Sequence, residues 1–267
     1  MTGTISPGEH RRTLEHTLND WAHGYNLSSA FSDVLEMLVC EFTPHQLDPD
    51  TQQLRGRYTD KYLAVVKRYD PDHVRKYYPP LCKAIFAVYD TEVTAEGGWC
   101  DPLGDYFEQT ASQKDRSWKG QFFTPPSVCE LMAALTGPAQ EEHQTDASLL
   151  DPACGSGRCL IAYDRSIPPR SNNFYVGVDI DARCVQMAAI NFFFHGMRGV
   201  LICGNSLSME MRFGYRVWHP LMGIGIEHLD EQDCLSFLVS RRHTDANNQD
   251  IPTGKSIEGP GGQLLLF

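Results

Sequence analysis

The chain has 267 residues, of which 42% are hydrophobic, and a net charge of −11. That is enough apolar material for one good core or two small ones, and the acidic balance argues against a simple nucleic-acid coat protein. No apolar run reaches the length of a membrane span, the first residues lack the charged and apolar regions of a signal peptide, and the nine cysteines occur singly with no Cys-x-x-Cys pair. This usage predicts reduced thiols in a cytoplasmic protein rather than disulfides or a zinc site.

Residues 1–119 read as a largely helical region. Apolar residues at 31, 34, 35, 38, 39 and 42 form one helical stripe. A second helix is predicted over Leu81–Tyr89, after the pair Pro79-Pro80. Between them, residues 55–76 carry Arg55, Arg57, Lys61, Lys67, Arg68, Arg75 and Lys76, with Tyr58, Tyr62 and Tyr69 interleaved and Tyr77 and Tyr78 following. Such a stretch can grip phosphates and stack on bases. The plainer alternative, a solvated helix face with tyrosines packed beneath it, is favoured.

Residues 120–243 change character. Short apolar runs alternate with helical patterns, which predicts βαβ units and a parallel sheet. Ser127 and Glu130 are spaced as a capping box for a helix ending before Gly137-Pro138. Strands are predicted at 148–150, 174–178 and 200–203, with a helix from Asp181 to Gly196 between the last two. Each predicted strand runs into a polar residue: Asp151, Asp179 and Asn205. Ligands of open α/β sheets bind at those carboxyl ends. After Asp151 comes Pro-Ala153-Cys-Gly155-Ser-Gly157, where the glycines allow a sharp turn and close backbone approach to a ligand. Leu160 stands where a dinucleotide-binding Gly-x-Gly-x-x-Gly would place its last glycine, which disfavours a dehydrogenase. Cys154 and Cys159, beside this loop, read as small apolar fillers.

Gly-Gln-Phe122-Phe-Thr124-Pro-Pro-Ser and Asp151-Pro-Ala-Cys-Gly-Ser-Gly157, in this order, resemble the cofactor half of DNA adenine (N-6) methyltransferases, especially the modification subunits of type I restriction systems. The segment Asp101–Glu108 and the helix ending Asn191-x-x-x-His195-Gly196 are similar to that family as well. The resemblance implies a class I methyltransferase (Rossmann-like) α/β fold, truncated here, and S-adenosylmethionine as cofactor. It implies that Asp151, Ala153, Gly155 and Gly157 wrap the methionine portion of the cofactor. Asp179 would accept from the ribose hydroxyls, Asn205 would contact the adenine, and Phe122 and Thr124 would close over the site. Taken singly, each of these residues is equally a cap or a turn; their succession in register carries the resemblance.

The family's Asn/Asp-Pro-Pro-Tyr/Phe tetrapeptide, which holds and stacks the flipped target base, is missing. Where it is expected, the chain reads Trp218-His219-Pro220-Leu221, and His219 and Pro220 are the catalytic candidates. The partners implied are DNA and a specificity subunit or other methylase subunit.

Residues 244–267 form the third region, a tail rich in Asp, Asn, Gly, Pro and Ser, read as flexible, that ends in Gln263-Leu264-Leu-Leu266-Phe267. The terminal pentapeptide resembles the motif with which bacterial DNA-metabolism proteins dock on the replicative sliding clamp. The alternative is a terminal strand or helix docking on the core. Two functions follow as expectations: an adenine methyltransferase with an altered or partner-completed catalytic loop, or a catalytically silent, cofactor-binding adaptor recruited to the clamp.

Overall fold

The computed structural model describes residues 6–47, 54–56, 59–95, 98–114, 123–136, 148–167, 173–218, 225–245 and 264–265. The chain forms two compact units, residues 1–122 and 123–267.

The first unit is helical, as its periodicity predicts. Helix α1 (Pro7–Trp21) starts with proline at its first position, and the Glu9 carboxylate accepts the Ser6 backbone N–H at 2.9 Å. Its Leu14, Leu18 and Trp21 are buried. Helix α2 (Leu27–Glu41), capped by Asn26, buries the predicted stripe, with Phe31, Val34, Leu35 and Leu38 at 2% exposure or less. A short antiparallel pair, β1 (His45–Leu47) and β2 (Leu54–Gly56), precedes helices α3 (Thr59–Val66), α4 (Pro71–Val93) and α5 (Pro102–Lys114).

Helix α4 begins ten residues before the predicted Leu81 and runs through Pro79 and Pro80. Asp70 caps it by accepting the Asp72 N–H at 2.8 Å, and Pro71 presets the first helical φ. Both internal prolines are exposed, so water can satisfy the carbonyls that lose their helical donors. Asp101 caps α5 by accepting the Gly104 N–H at 2.9 Å.

Where it is described, the basic, tyrosine-rich stretch takes its plainer form; Arg57 and Tyr58 lie outside the described residues. Lys61, Lys67, Arg68, Arg75 and Lys76 are exposed, whereas Tyr69 and Tyr78 are buried. The Tyr69 hydroxyl donates to the buried Asp33 carboxylate at 2.8 Å, and Arg68 pairs with the same group at 2.5 Å.

The second unit is a six-stranded sheet in the order β7-β6-β5-β4-β3-β8 among the described residues. Helix α6 (Pro126–Thr136) leads into β3 (Ser148–Asp151), α7 (Arg158–Ser166), β4 (Phe174–Asp179), α8 (Ala182–His195) and β5 (Gly199–Asn205). Strands β6 (Glu210–Trp218) and β7 (Gly225–Leu229), helix α9 (Glu231–Asp245) and β8 (Leu264–Leu265) complete it.

Strands β3, β4 and β5 are parallel, as the βαβ pattern predicts, but β6 and β7 are antiparallel additions, so the sheet is mixed. One face packs Val178, Val200, Ile202, Met211 and Leu229 against Cys234, Leu235, Phe237 and Leu238 of α9. Helix α8 contributes Ala188, Ile190 and Phe192, all fully buried. One local expectation is corrected. Helix α6 starts at Pro126, and the Pro125 carbonyl accepts the N–H groups of Val128 and Cys129, so Ser127 lies inside the first turn rather than capping it. Helix α9 opens where Asp230 accepts the Asp233 N–H at 2.8 Å.

Candidate functional site

Asp151, Asp179 and Asn205 are the last residues of β3, β4 and β5, three neighbouring parallel strands. The topology therefore brings to one end of the sheet three polar residues that are far apart in sequence.

The loop after β3 is shaped by backbone contacts. Cys154 N–H donates to the Val178 carbonyl at 2.9 Å, and Gly157 N–H to the Cys154 carbonyl at 2.8 Å. Gly155 and Gly157 have φ of 54° and 87°, a region that side chains disfavour. At Gly155 a Cβ would also lie 2.9 Å from the Phe123 ring. From α8, the fully buried Asn191 donates through Nδ2 to the Ser156 carbonyl at 2.9 Å. The His195 ring meets the Asn191 carbonyl at 2.8 Å, and Arg165 donates to the His195 carbonyl at 2.9 Å. The Asn-x-x-x-His pair thus braces the loop from behind.

The acids are held by the same backbone. Asp179 accepts the Gly155 N–H on one oxygen at 2.9 Å and the Asp181 N–H on the other at 2.8 Å. Asp151 accepts the Ala153 N–H at 3.0 Å. Burial pushes the Asp151 carboxyl up to about 6, the Ala153 hydrogen bond opposes this, and the nearby Asp179 charge adds to it. Burial raises the Asp179 carboxyl too, against the pull of its backbone donors. Two carboxylates at neighbouring strand ends, partly desolvated, form an acceptor-rich, anionic site suited to hydroxyls or a cation.

Asn205 also holds the turn that follows β5. Its Oδ1 accepts the N–H groups of Leu207 at 2.9 Å and Ser208 at 3.3 Å. The amide NH2 is the part of the side chain left to meet a ligand.

Phe122 lies outside the described residues. The next residue, Phe123, is the one whose ring lies against Gly155, with the buried Arg158 guanidinium 5.0 Å from the ring centre. Neither Phe123 nor Arg158 was singled out by the sequence reading, which named Phe122 and Thr124. Thr124 is half-buried, and its carbonyl accepts from the Cys129 thiol at 3.5 Å. Ala153 is exposed on the loop. Cys154 and Cys159 are buried fillers, and Cys159 Sγ lies 3.5 Å from Cys129 Sγ.

His219 and Pro220 lie outside the described residues, but the strand that delivers them is described. Strand β6 runs antiparallel to β5, pairing Glu210 with Asn205 and Val217 with Gly199. Trp218, the last described residue before them, lies at the opposite end of the strands from Asn205, a strand length of about 20 Å away.

Of the terminal peptide, Gln263, Leu266 and Phe267 lie outside the described residues. Leu264 and Leu265 pair in parallel with Leu149 and Leu150 at the free edge of β3. Among the described residues, no group of acids, histidines and cysteines is arranged to hold a metal ion, and no helix is long and apolar enough to cross a membrane.

The family match of this chain falls on this same region. Residues 100–213 match the family model of N-6 DNA methylases. The type I restriction enzyme MjaVIII methylase subunit of Methanocaldococcus jannaschii is 34% identical over 99 residues, 36% of this chain and 16% of that protein. Among solved structures, the type I restriction-modification methyltransferase subunit of Streptococcus thermophilus aligns with a TM-score of 0.39 at 15% identity, covering 72% of this chain and 57% of that one. A putative class I S-adenosylmethionine-dependent methyltransferase of Listeria monocytogenes aligns with a TM-score of 0.33 at 16% identity, covering 72% and 52%. The chain thus spans about a sixth of its curated relative and just over half of these solved structures. The matched residues 100–213 include the Phe123–Thr124 segment, the glycine loop and all three strand-end residues, so it is this part of the chain that is similar to the N-6 DNA methylases.

Proposed function

We propose that this chain binds S-adenosylmethionine at the ends of β3, β4 and β5 and acts on DNA as an adenine N-6 methyltransferase-like subunit. One observation carries the reading: Asp151, Asp179 and Asn205 close three adjacent parallel strands, and the loop Asp151–Gly157 is already hydrogen-bonded to Asp179 through Gly155. The residues fit the cofactor. Each Asp179 oxygen has lone pairs beyond its one backbone donor, so the carboxylate can still accept from vicinal hydroxyls. Gly155 and Gly157 bring bare backbone to the ligand, and Asp151 offers negative charge to a cationic amino-acid portion. When bound, S-adenosylmethionine would supply an electrophilic methyl group; the chain's own residues orient it and exclude water.

The base-handling side of the reaction is proposed to come from outside the His219–Pro220 segment, from a methylase or specificity subunit that completes the site. Titration of the purified chain with S-adenosylmethionine, followed by transfer of labelled methyl groups to adenine-containing duplexes, tests this. Saturable binding, with any transfer unchanged by His219→Ala, is expected. Absence of binding would remove the cofactor reading, and transfer abolished by His219→Ala would restore His219 to the reaction.

The second reading is a silent adaptor docked on the sliding clamp through Gln263, Leu264, Leu266 and Phe267. What favours it is the thinness of the intramolecular alternative: β8 is two residues long and sits at the sheet edge, so a pocket on a partner can compete for an extended peptide. A clamp pull-down that survives deletion of residues 263–267 would exclude it.

A further inference from the structure

The Arg158–Phe123 pair assigns a role to a residue the family reading leaves out. Arg158 opens α7 immediately after Gly157, and it is a buried cation, only 4% exposed. Its guanidinium lies 5.0 Å from the centre of the Phe123 ring. That ring in turn lies so close to Gly155 that a Cβ there would sit 2.9 Å and 3.0 Å from two of its carbons. Gly155 and the Arg158 guanidinium thus both meet the Phe123 ring, and the Gly155 N–H donates to Asp179.

The physical consequence is directional. A phenyl ring on a chain segment has no polar anchor of its own, and Phe123 is half-buried. A planar cation on the ring supplies both an electrostatic attraction and a fixed orientation. With the ring held, segment 123–124 is fixed against the loop, and the loop amides are shielded from water.

We propose that Arg158 is a positioning residue of the strand-end site: its guanidinium holds Phe123 against Gly155, closing the 123–124 segment over the loop that presents Asp151 and Asp179. The benefit to cofactor binding rests on the proposed cofactor reading; the closure itself does not. The arginine touches no reacting atom and acts through the phenyl ring.

Hydrogen exchange on the full chain without ligand tests the closure, read on the peptide containing Ala153–Gly157. Arg158→Met and Phe123→Leu should each speed exchange there severalfold, and the double variant should be no faster than the faster single one. Arg158→Lys, which keeps a cation near the ring, should restore most of the protection. Wild-type exchange in Arg158→Met, or additive effects in the double variant, would overturn the proposal. If Arg158→Met fails to fold by its thermal transition, Phe123→Leu with and without Arg158→Lys carries the same comparison: the lysine should change loop exchange only when the ring is present. In a parallel titration with S-adenosylmethionine, Arg158→Met should bind about tenfold more weakly than wild type. A wild type that closes the loop but binds no S-adenosylmethionine refutes the cofactor reading; a wild type that binds equally with and without Arg158 refutes the positioning role.

Discussion

The two units treat conspicuous polar residues in opposite ways. In the helical unit, the arginines and tyrosines of 55–78 stand out in the sequence, yet Lys61, Lys67, Arg68, Arg75 and Lys76 are solvated while Tyr69 and Tyr78 are packed, with Asp33 buried to receive Tyr69 and Arg68. In the sheet unit, Asp151, Asp179 and Asn205 stand out less, one residue at a time, and the fold gathers them at adjacent strand ends. Helical periodicity brings sequence neighbours together, and what it collects here is packing. Parallel strands joined by helices bring together residues distant in sequence, and strand ends collect sites.

The comparison breaks most sharply at two acids, the half-buried Asp179 and the buried Asp33. Asp179→Ala removes the acceptor at the centre of the strand-end cluster and should weaken S-adenosylmethionine binding by about 100-fold, as expected for two hydrogen bonds to a charged group, each of about 1.5–3 kcal/mol, partly replaced by water. Asp33→Ala should leave that affinity unchanged while lowering stability by about 1–3 kcal/mol, because the buried Tyr69 hydroxyl loses its acceptor. Calorimetric titration and denaturant unfolding of the same two variants decide it. Equal loss of affinity in both would mean that the units are not functionally distinct.

Asp151 gives the next effect, and its sign differs from that of Asp179. Its carboxyl lies near 3.8 when unfolded and about 6 when folded. The folded state therefore disfavours the charged form: the cost is absent below about pH 4, grows as pH rises through 6, and stays constant above. A shift of about two units corresponds to about 3 kcal/mol at pH 7. Asp151→Asn keeps an oxygen for the Ala153 N–H and loses the charge, so it should raise the melting temperature at pH 7 and not at pH 4. Affinity for the cationic cofactor should rise between pH 5 and pH 7 in wild type and stay flat in the variant. A variant no more stable than wild type at pH 7 would show that Asp151 is not held against its charge.

How much of this was legible in the sequence follows from which contacts are local. The strand ends were readable because each apolar run stops at a polar residue, and α8 was readable from Asp181 at its start and Gly196 at its end, with the glycine at φ 70°. Strand β6 was not: alternation marks a strand but carries no direction, and its antiparallel course is what takes Trp218 away from Asn205. Nor was the role of Phe123, since which of two adjacent phenyl rings meets Gly155 is decided by tertiary contact. The extension of α4 through Pro79 and Pro80 was hidden for a similar reason, because proline ends a helix by local rules and is tolerated here on an exposed face.

The smallest effect sharpens the other side of the comparison. Tyr69 sits in a ring cluster, 4.5 Å from Trp21, 4.6 Å from Tyr25 and stacked on His73 at 5.7 Å, all between ring centres. Tyr69→Phe keeps every one of these contacts and removes one hydroxyl; Asp33 retains its pairing with Arg68. The expected cost is about 1 kcal/mol of stability, and Tyr69→Ala, which deletes the ring, should cost about 3–5 kcal/mol. DNA retention on a filter, measured across a salt series, should follow neither variant. A nucleic-acid stacking role predicts the reverse ordering: Tyr69→Phe silent in both assays, and Tyr69→Ala losing DNA while the unfolding midpoint holds. The exposed lysines of this stretch would then be part of a binding face, and the helical unit would be a second functional region rather than the packed counterpart of the sheet.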